Sequence, residues 1–142
     1  ASTVAPQALT LLNAEEVQDR ALAFADRLLK ERSHESEVIQ RAFELALGRV
    51  PGKEEVELCV THWKSATRSE SQKKPVAPSF PKKIKRTVMA EKTGEPYDFW
   101  EFLPAFEPYQ PDLQRSDTDA RTRGLAHICL VLFNSNEFAY LD

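Results

Sequence analysis

GLAHICLVLFNSNEFAYLD, residues 124–142, decides the fold of this chain. Its first ten residues carry no charged side chain, apart from His127 when that residue is protonated. A helix that is apolar around most of its circumference cannot lie on a surface, because other elements must cover it. We therefore predict an all-α fold, a small helical domain that packs around a central, buried C-terminal helix from about Asp117 to Phe133. Ser116 and Asp119 have the spacing of a capping box at the start of this helix.

Amphipathic segments precede this helix. Apolar residues spaced by three and four predict helices over residues 14–32, 38–48, 52–69 and 79–92. In the last of these, Ile84 and Val88 occupy the inner face. A short apolar segment from Val4 to Leu12 comes before them all. These patterns indicate about five helices in a single domain over residues 1–142.

A proline-rich region interrupts the helices. Residues 95–115 hold four prolines among the aromatic residues Tyr97, Phe99, Trp100, Phe102, Phe106 and Tyr109. No helix continues through that many prolines, so we predict one long Pro/aromatic-rich loop whose aromatic side chains anchor it to the helices. In the alternative interpretation, Tyr97, Trp100, Phe106 and Tyr109 line a groove for a sugar or a protein partner. A Lys/Pro-rich linker at about residues 71–81 precedes the fourth predicted helix.

Charge and hydropathy limit the partners of the chain. The 142 residues carry a formal net charge of −3, and the sequence pI is near 5.7. Such a chain has no general basic field, so we expect no nucleic-acid partner. The longest uncharged run is well short of the roughly 20 residues that cross a bilayer, so we expect no membrane span.

The cysteines and histidines do not form a pattern typical of a reactive site. Cys59 and His62 lie three apart on a predicted helix, which suits two ligands of one metal ion, but a structural zinc ion needs four. We predict no catalytic, cofactor-binding or metal-binding residue, and no cofactor. The only two cysteines, Cys59 and Cys129, are interpreted as buried thiols, with one disulfide bond as the alternative. His127 is predicted to be a core histidine bonded to backbone.

One local cluster of charge remains a candidate binding site. Six basic side chains fall in a stretch of fourteen residues that contains no acid: Lys73, Lys74, Lys82, Lys83, Lys85 and Arg86. One hypothesis is a patch for a polyanion, either nucleic acid or an acidic polysaccharide. The alternative is a solvated linker, which we favour because no aromatic platform is interleaved with the lysines in the sequence.

Three segments of the chain resemble a known family. They are TVAPQALTLLN at 3–13, AFELALGRVPGKEEVE at 42–57, and DARTRGLAHICLVLFNSNEFAYLD at 119–142. In order and spacing they are similar to the C-terminal part of the planctomycete domain of unknown function 1553. The resemblance implies an exported protein or one of the cell envelope, because proteins of this family are typically large and carry a signal peptide. They often join this module to a second domain of unknown function and a cytochrome c segment.

The resemblance transfers no catalytic residue, and the Cys-x-x-Cys-His haem attachment of cytochrome-bearing members is absent from this sequence. The chain starts at Ala1 rather than Met, which favours a C-terminal fragment whose partners are the upstream domains of the same parent chain. We therefore expect a non-catalytic structural or interaction module. The alternative is part of a multidomain envelope enzyme, a hydrolase or a cytochrome-linked electron-transfer protein, with its active site mainly in the upstream domains.

Overall fold

The computed structural model describes residues 15–106 and 112–135. These residues form four α-helices and one two-stranded antiparallel sheet. The helices are α1 (Glu15–Glu31), α2 (Glu35–Leu47), α3 (Lys53–Ser71) and α4 (Ala120–Phe133), and the strands are β1 (Lys83–Met89) and β2 (Pro96–Phe102). Two short 3₁₀ helices cover Pro104–Phe106 and Arg115–Asp117. The prediction for Val4–Leu12 falls outside the described residues.

The strongly apolar segment forms the centre of the helical core. Helix α4 packs mainly against α1 and α3. Leu125 and Cys129 on α4 have no solvent exposure. The largest partner side chain is Trp63 of α3, whose indole Nε1 donates a hydrogen bond of 2.9 Å to the carbonyl oxygen of Arg121. The predicted central, buried C-terminal helix is therefore observed.

A glycine allows α3 and α4 to approach closely. A Cβ atom added to Gly124 would lie 2.8 Å from the backbone nitrogen of Thr67 and 2.9 Å from its Cα. Both distances are shorter than real Cβ contacts, so only glycine fits between the two helices at this point. The pair packs against backbone here rather than through interlocking side chains.

The helix ends follow local sequence signals. Gly48 closes α2 in the left-handed conformation, with φ of 68°. At the start of α3 the carboxylate of Glu55 accepts a hydrogen bond of 2.7 Å from the backbone nitrogen of Gly52, and Arg49 binds the same carboxylate. The capping box predicted for α4 is placed differently: Asp119 itself is the N-cap and accepts from the backbone nitrogen of Thr122 at 2.7 Å.

The predicted helix over residues 79–92 is wrong, and strand β2 takes the place of the first part of the loop predicted at residues 95–115. The strands β1 and β2 pair in register, with Lys83 opposite Phe102 and Met89 opposite Pro96. The turn between them closes through a hydrogen bond of 2.8 Å from the backbone nitrogen of Gly94, at φ of 69°, to the carbonyl oxygen of Ala90. The described part of the chain is therefore not strictly all-α, and it has four α-helices where about five were predicted.

The described residues form two compact units, where the sequence predicts one domain. The helical unit contains residues 15–77 and 113–135, and the hairpin unit contains residues 78–106 together with residue 112. Between α3 and β1, residues 73–81 contain no helix or strand, in the region predicted to be a linker. The helical unit is therefore discontinuous in sequence, because the hairpin unit is inserted between α3 and α4.

Candidate functional site

Glu70, in the last turn of α3, forms four ion pairs with basic side chains. Its side chain has no solvent exposure, and both carboxylate oxygens accept bonds from basic groups. The four contacts are Lys73 Nζ to Oε1 at 2.8 Å, His127 Nε2 to Oε1 at 3.2 Å, Arg115 Nη2 to Oε2 at 2.6 Å, and Arg123 Nε to Oε2 at 3.2 Å. We call these five residues the Glu70 cluster. The cluster joins α3, α4 and the 3₁₀ helix Arg115–Asp117.

Arg123 is the buried cation of this cluster. It is only 6% exposed, and its remaining donors bind the carbonyl oxygens of Glu70, Arg115 and Thr118. Within the described ranges, no buried side-chain nitrogen or oxygen lacks a hydrogen-bond partner. A buried pair with all of its donors and acceptors bonded suits a structural role, because removing either partner leaves an uncompensated charge.

The charge state of Glu70 makes it unsuitable as a general acid or base near neutral pH. Burial alone raises its pKa, but hydrogen bonds from Lys73 and His127 and the charge of Arg115 outweigh burial and lower the pKa to about 2. An ionised carboxylate only accepts hydrogen bonds, so Nε2 of His127 must carry its proton. His127 was predicted to bond backbone; instead it binds this carboxylate.

The cluster predicts a stability change at acid pH. Because the pKa of Glu70 in the folded protein lies below its ordinary value of 4.5, its stabilising effect is present above pH 5 and is lost as pH falls toward 2. A lowering of that size corresponds to roughly 3 kcal/mol of unfolding free energy at pH 7. We expect the stability difference between the native chain and Glu70→Gln to shrink over this range in urea titrations followed by circular dichroism. If the difference in unfolding free energy between the two proteins stays constant from pH 7 to pH 2.5, the lowered pKa of Glu70 is contradicted.

Helices α2, α3 and α4 line an open apolar groove of about 340 Å³. The side chains that line it include Phe43, Leu58, Cys59, His62 and Val131. Cys59 is half-buried and Cys129 is fully buried, and both are free thiols. Burial raises the pKa of both thiols, and the charge of Glu55 adds to this effect at Cys59, so neither thiol is activated as a nucleophile. Over residues 15–106 and 112–135, no group of three or more His, Cys, Asp or Glu side chains is placed to hold a metal ion.

The hairpin has two faces of different chemistry. Residues directly opposite each other in the register share a face, as do residues two apart along a strand. The face that we call the apolar face carries Ile84, Arg86, Val88, Tyr97, Phe99 and Glu101. The opposite face, which we call the basic aromatic face, carries Lys83, Lys85, Thr87, Asp98, Trp100 and Phe102.

The basic aromatic face joins two sets of residues that are far apart in sequence. The Nζ atom of Lys83 lies 4.7 Å from the centre of the Trp100 ring, which suits a cation–π contact. Phe102 is directly opposite Lys83, and Trp100 is opposite Lys85. Trp100 is 54% exposed and Phe102 is 70% exposed. The anchoring of the 95–115 aromatics to the helices stays a prediction.

The six residues of the predicted polyanion patch are divided between the two units. Lys73 and Lys74 belong to the helical unit, where Lys73 binds Glu70. Lys82, Lys83, Lys85 and Arg86 belong to the hairpin unit. Lys85 forms an ion pair of 2.6 Å with Asp98, and Arg86 pairs with Glu101. The hairpin also supplies the aromatic side chains whose absence beside the lysines argued against the patch.

No helix in the described part of the chain is long and apolar enough to cross a membrane. The sequence alternative of a sugar or partner groove also named Tyr109, which lies outside the described residues, as do Phe138 and Tyr140 in the C-terminal segment.

Comparison with known proteins supports the family resemblance for part of the chain. A family model described as "Protein of unknown function (DUF1553)" matches residues 1–63. Two of the three segments that carry the resemblance, at residues 3–13 and 42–57, lie in this range. Neither the curated proteins nor the solved structures give a significant match. Residues 1–63 are thus the part of this chain for which similarity to the family "Protein of unknown function (DUF1553)" is established.

Proposed function

We propose that this chain is a non-catalytic interaction module at the C-terminus of a larger exported planctomycete protein, and that it contacts the upstream domains of the same parent chain. The planctomycete source, the C-terminal position and the envelope setting come from the family resemblance. The observation that carries the interaction role is the exposed apolar face of the hairpin.

This face has more apolar surface than a hairpin can bury by itself. Tyr97 is 54% exposed and Phe99 is 41% exposed, and their ring centres lie 6.2 Å apart. Ile84 and Val88 beside them are only partly buried. An isolated two-stranded hairpin is marginally stable in water, and exposed contiguous apolar surface commonly marks a contact site. We infer that an upstream domain covers this face in the parent protein.

The absence of a catalytic role fits the chemistry of the helical unit. Its buried carboxylate is held ionised by basic partners that stabilise the fold, and its two thiols have raised pKa values. None of these groups has a pKa tuned toward the range that acid, base or nucleophilic catalysis uses near neutral pH.

Hydrogen exchange in the parent protein tests this proposal. We expect the amides of residues 83–89 and 97–102 to exchange about tenfold or more slowly in the parent than in the isolated chain, because a docked domain suppresses opening of the hairpin. Phe99→Glu should abolish this extra protection. Phe102→Glu, the same change on the same strand but on the other face, should leave it intact.

Equal exchange rates in the parent and in the isolated chain would refute the proposal. A structure of the parent with a cleft between this module and an upstream domain, lined by acidic side chains from both, would favour the multidomain enzyme instead.

A further inference from the structure

We propose that the basic aromatic face of the hairpin binds an acidic polysaccharide. A uronic acid carboxylate would bind the ammonium group of Lys83, and sugar C–H groups would pack against Trp100 and Phe102. This inference deepens the proposed interaction role by naming a ligand class, and it uses the face of the hairpin opposite to the one assigned to the upstream domains.

The geometry places one ammonium group over an exposed ring, on the face that carries a second exposed ring. Lys83 Nζ lies over the Trp100 ring at 4.7 Å, and Phe102 is its directly opposed neighbour in the register. Trp100 and Phe102 are two residues apart on one strand, so their attachment points are separated by about 6.7 Å along it. The face of an aromatic ring is electron-rich and attracts polarised C–H groups as it attracts a cation. An anionic sugar offers both a carboxylate and C–H groups.

Lys83 differs from its basic neighbours in forming no ion pair with an acid in the described part of the chain. Lys85 is neutralised by Asp98 at 2.6 Å, and Arg86 by Glu101. Over residues 15–106 and 112–135, no ion pair involves Lys83 or the adjacent exposed Lys82. The charge available for a ligand is therefore concentrated at the end of β1 that also carries the two exposed rings.

The charge balance of the hairpin unit argues against nucleic acid as the ligand. From residue 78 to residue 112 the sequence has five basic and six acidic side chains, a net charge of −1. Nucleic acid binding draws its affinity from many phosphate contacts and a positive field, which this unit does not offer. An acidic polysaccharide also offers the C–H surface of its sugars to the aromatic rings, so it can bind through one carboxylate–ammonium pair together with ring contacts.

Tryptophan fluorescence gives a direct test with the 142-residue chain. Its two tryptophans differ in exposure, because Trp63 is 2% exposed and Trp100 is 54% exposed. We expect polygalacturonate to change the Trp100 emission saturably. Neutral dextran and single-stranded oligodeoxythymidine should leave it unchanged. Acrylamide quenching before and after titration identifies the exposed tryptophan as the one that responds.

Matched variants assign the contact, with affinities measured by isothermal titration calorimetry. Lys83→Gln should weaken polygalacturonate binding about tenfold, as loss of one charge-assisted hydrogen bond does. Lys92→Gln makes the same charge change near the turn and should bind as the native chain does. Phe102→Ala should weaken binding, whereas Phe99→Ala on the apolar face should not.

Three results would overturn the inference: no binding, equal loss in Lys83→Gln and Lys92→Gln, or preferential binding of the oligonucleotide, which would make the face a nucleic-acid site. Circular dichroism of each variant confirms that the fold is kept, and either Lys83→Gln or Phe102→Ala suffices if the other does not fold. These titrations use the isolated chain, so their outcome is independent of hydrogen exchange in the parent protein.

Discussion

Glu70→Ala is expected to destabilise the helical unit by roughly 3–5 kcal/mol, because it leaves Arg123 charged and buried without a counterion. Arg123 is 6% exposed and cannot turn out to solvent without breaking its bonds to carbonyl oxygens of the segment before α4. A loss of this size is a large share of the total stability of a small domain. The measurement is the free energy of unfolding in urea at pH 7, followed by helical circular dichroism.

Glu57→Ala is the matched control for this prediction. Glu57 lies on the same helix, but its side chain is 66% exposed. Its ion pair, from Oε1 to Nζ of Lys53, is long at 4.0 Å. We expect its replacement to change the free energy of unfolding by about 0.5 kcal/mol or less. If Glu70→Ala costs no more than Glu57→Ala, the Glu70 cluster does not hold α3 and α4 together.

Gly124→Ala is expected to destabilise the chain by roughly 3 kcal/mol, as overpacking a tight contact does. In an exposed helix the same substitution has the opposite effect and stabilises the fold by about 1 kcal/mol. The new methyl group would clash with Oγ1 of Thr67 and would meet the backbone nitrogen of Thr67 at 2.8 Å. Thermal unfolding by calorimetry measures the effect.

A second substitution at the same contact tests its cause. Thr67→Ala removes the Oγ1 clash and leaves the backbone nitrogen and Cα of residue 67 in place. The double variant should therefore recover only part of the stability lost in Gly124→Ala. Complete recovery, or a stabilised single variant, would show that the helices are not limited by backbone contact at this point.

The helices of the core could be predicted because each signal was local. The spacing of apolar residues located α1, α2 and α3, and the predicted ranges 38–48 and 52–69 place the boundary between α2 and α3 where the structure has it. The uncharged run after Gly124 predicted a helix with no exposed face, and α4 is that helix. The start of α4 was displaced, because Ser116 and Asp119 both suit a cap and only the structure distinguishes them.

The hairpin could not be recognised because its pattern is ambiguous. Ile84 and Val88 are four residues apart, a spacing that puts two side chains on one face of a helix and also on one face of a strand. In β2, Phe99 and Trp100 are both aromatic and both exposed, so no alternation of apolar and polar residues marks the strand. The strand pairing that brings Trp100 beside Lys83 could therefore not be predicted from the sequence.

The Glu70 cluster could not be predicted from the sequence for a different reason. Glu70 sits among polar residues at the end of α3 and meets Arg115, Arg123 and His127 only through tertiary packing. Nothing in the local sequence distinguishes it from the exposed acids of the same helix. Its burial depends on where α4 is placed.

The insertion of the hairpin between α3 and α4 sets an order for folding during synthesis. The ribosome releases α1, α2 and α3 first, and their apolar faces then lack the helix that covers them. The hairpin follows, and it can close early because its contacts are short in sequence. The helical core can form only when α4 has emerged. Until then the nascent chain exposes the apolar faces of α1, α2 and α3, to which a chaperone can bind and through which the chain can aggregate.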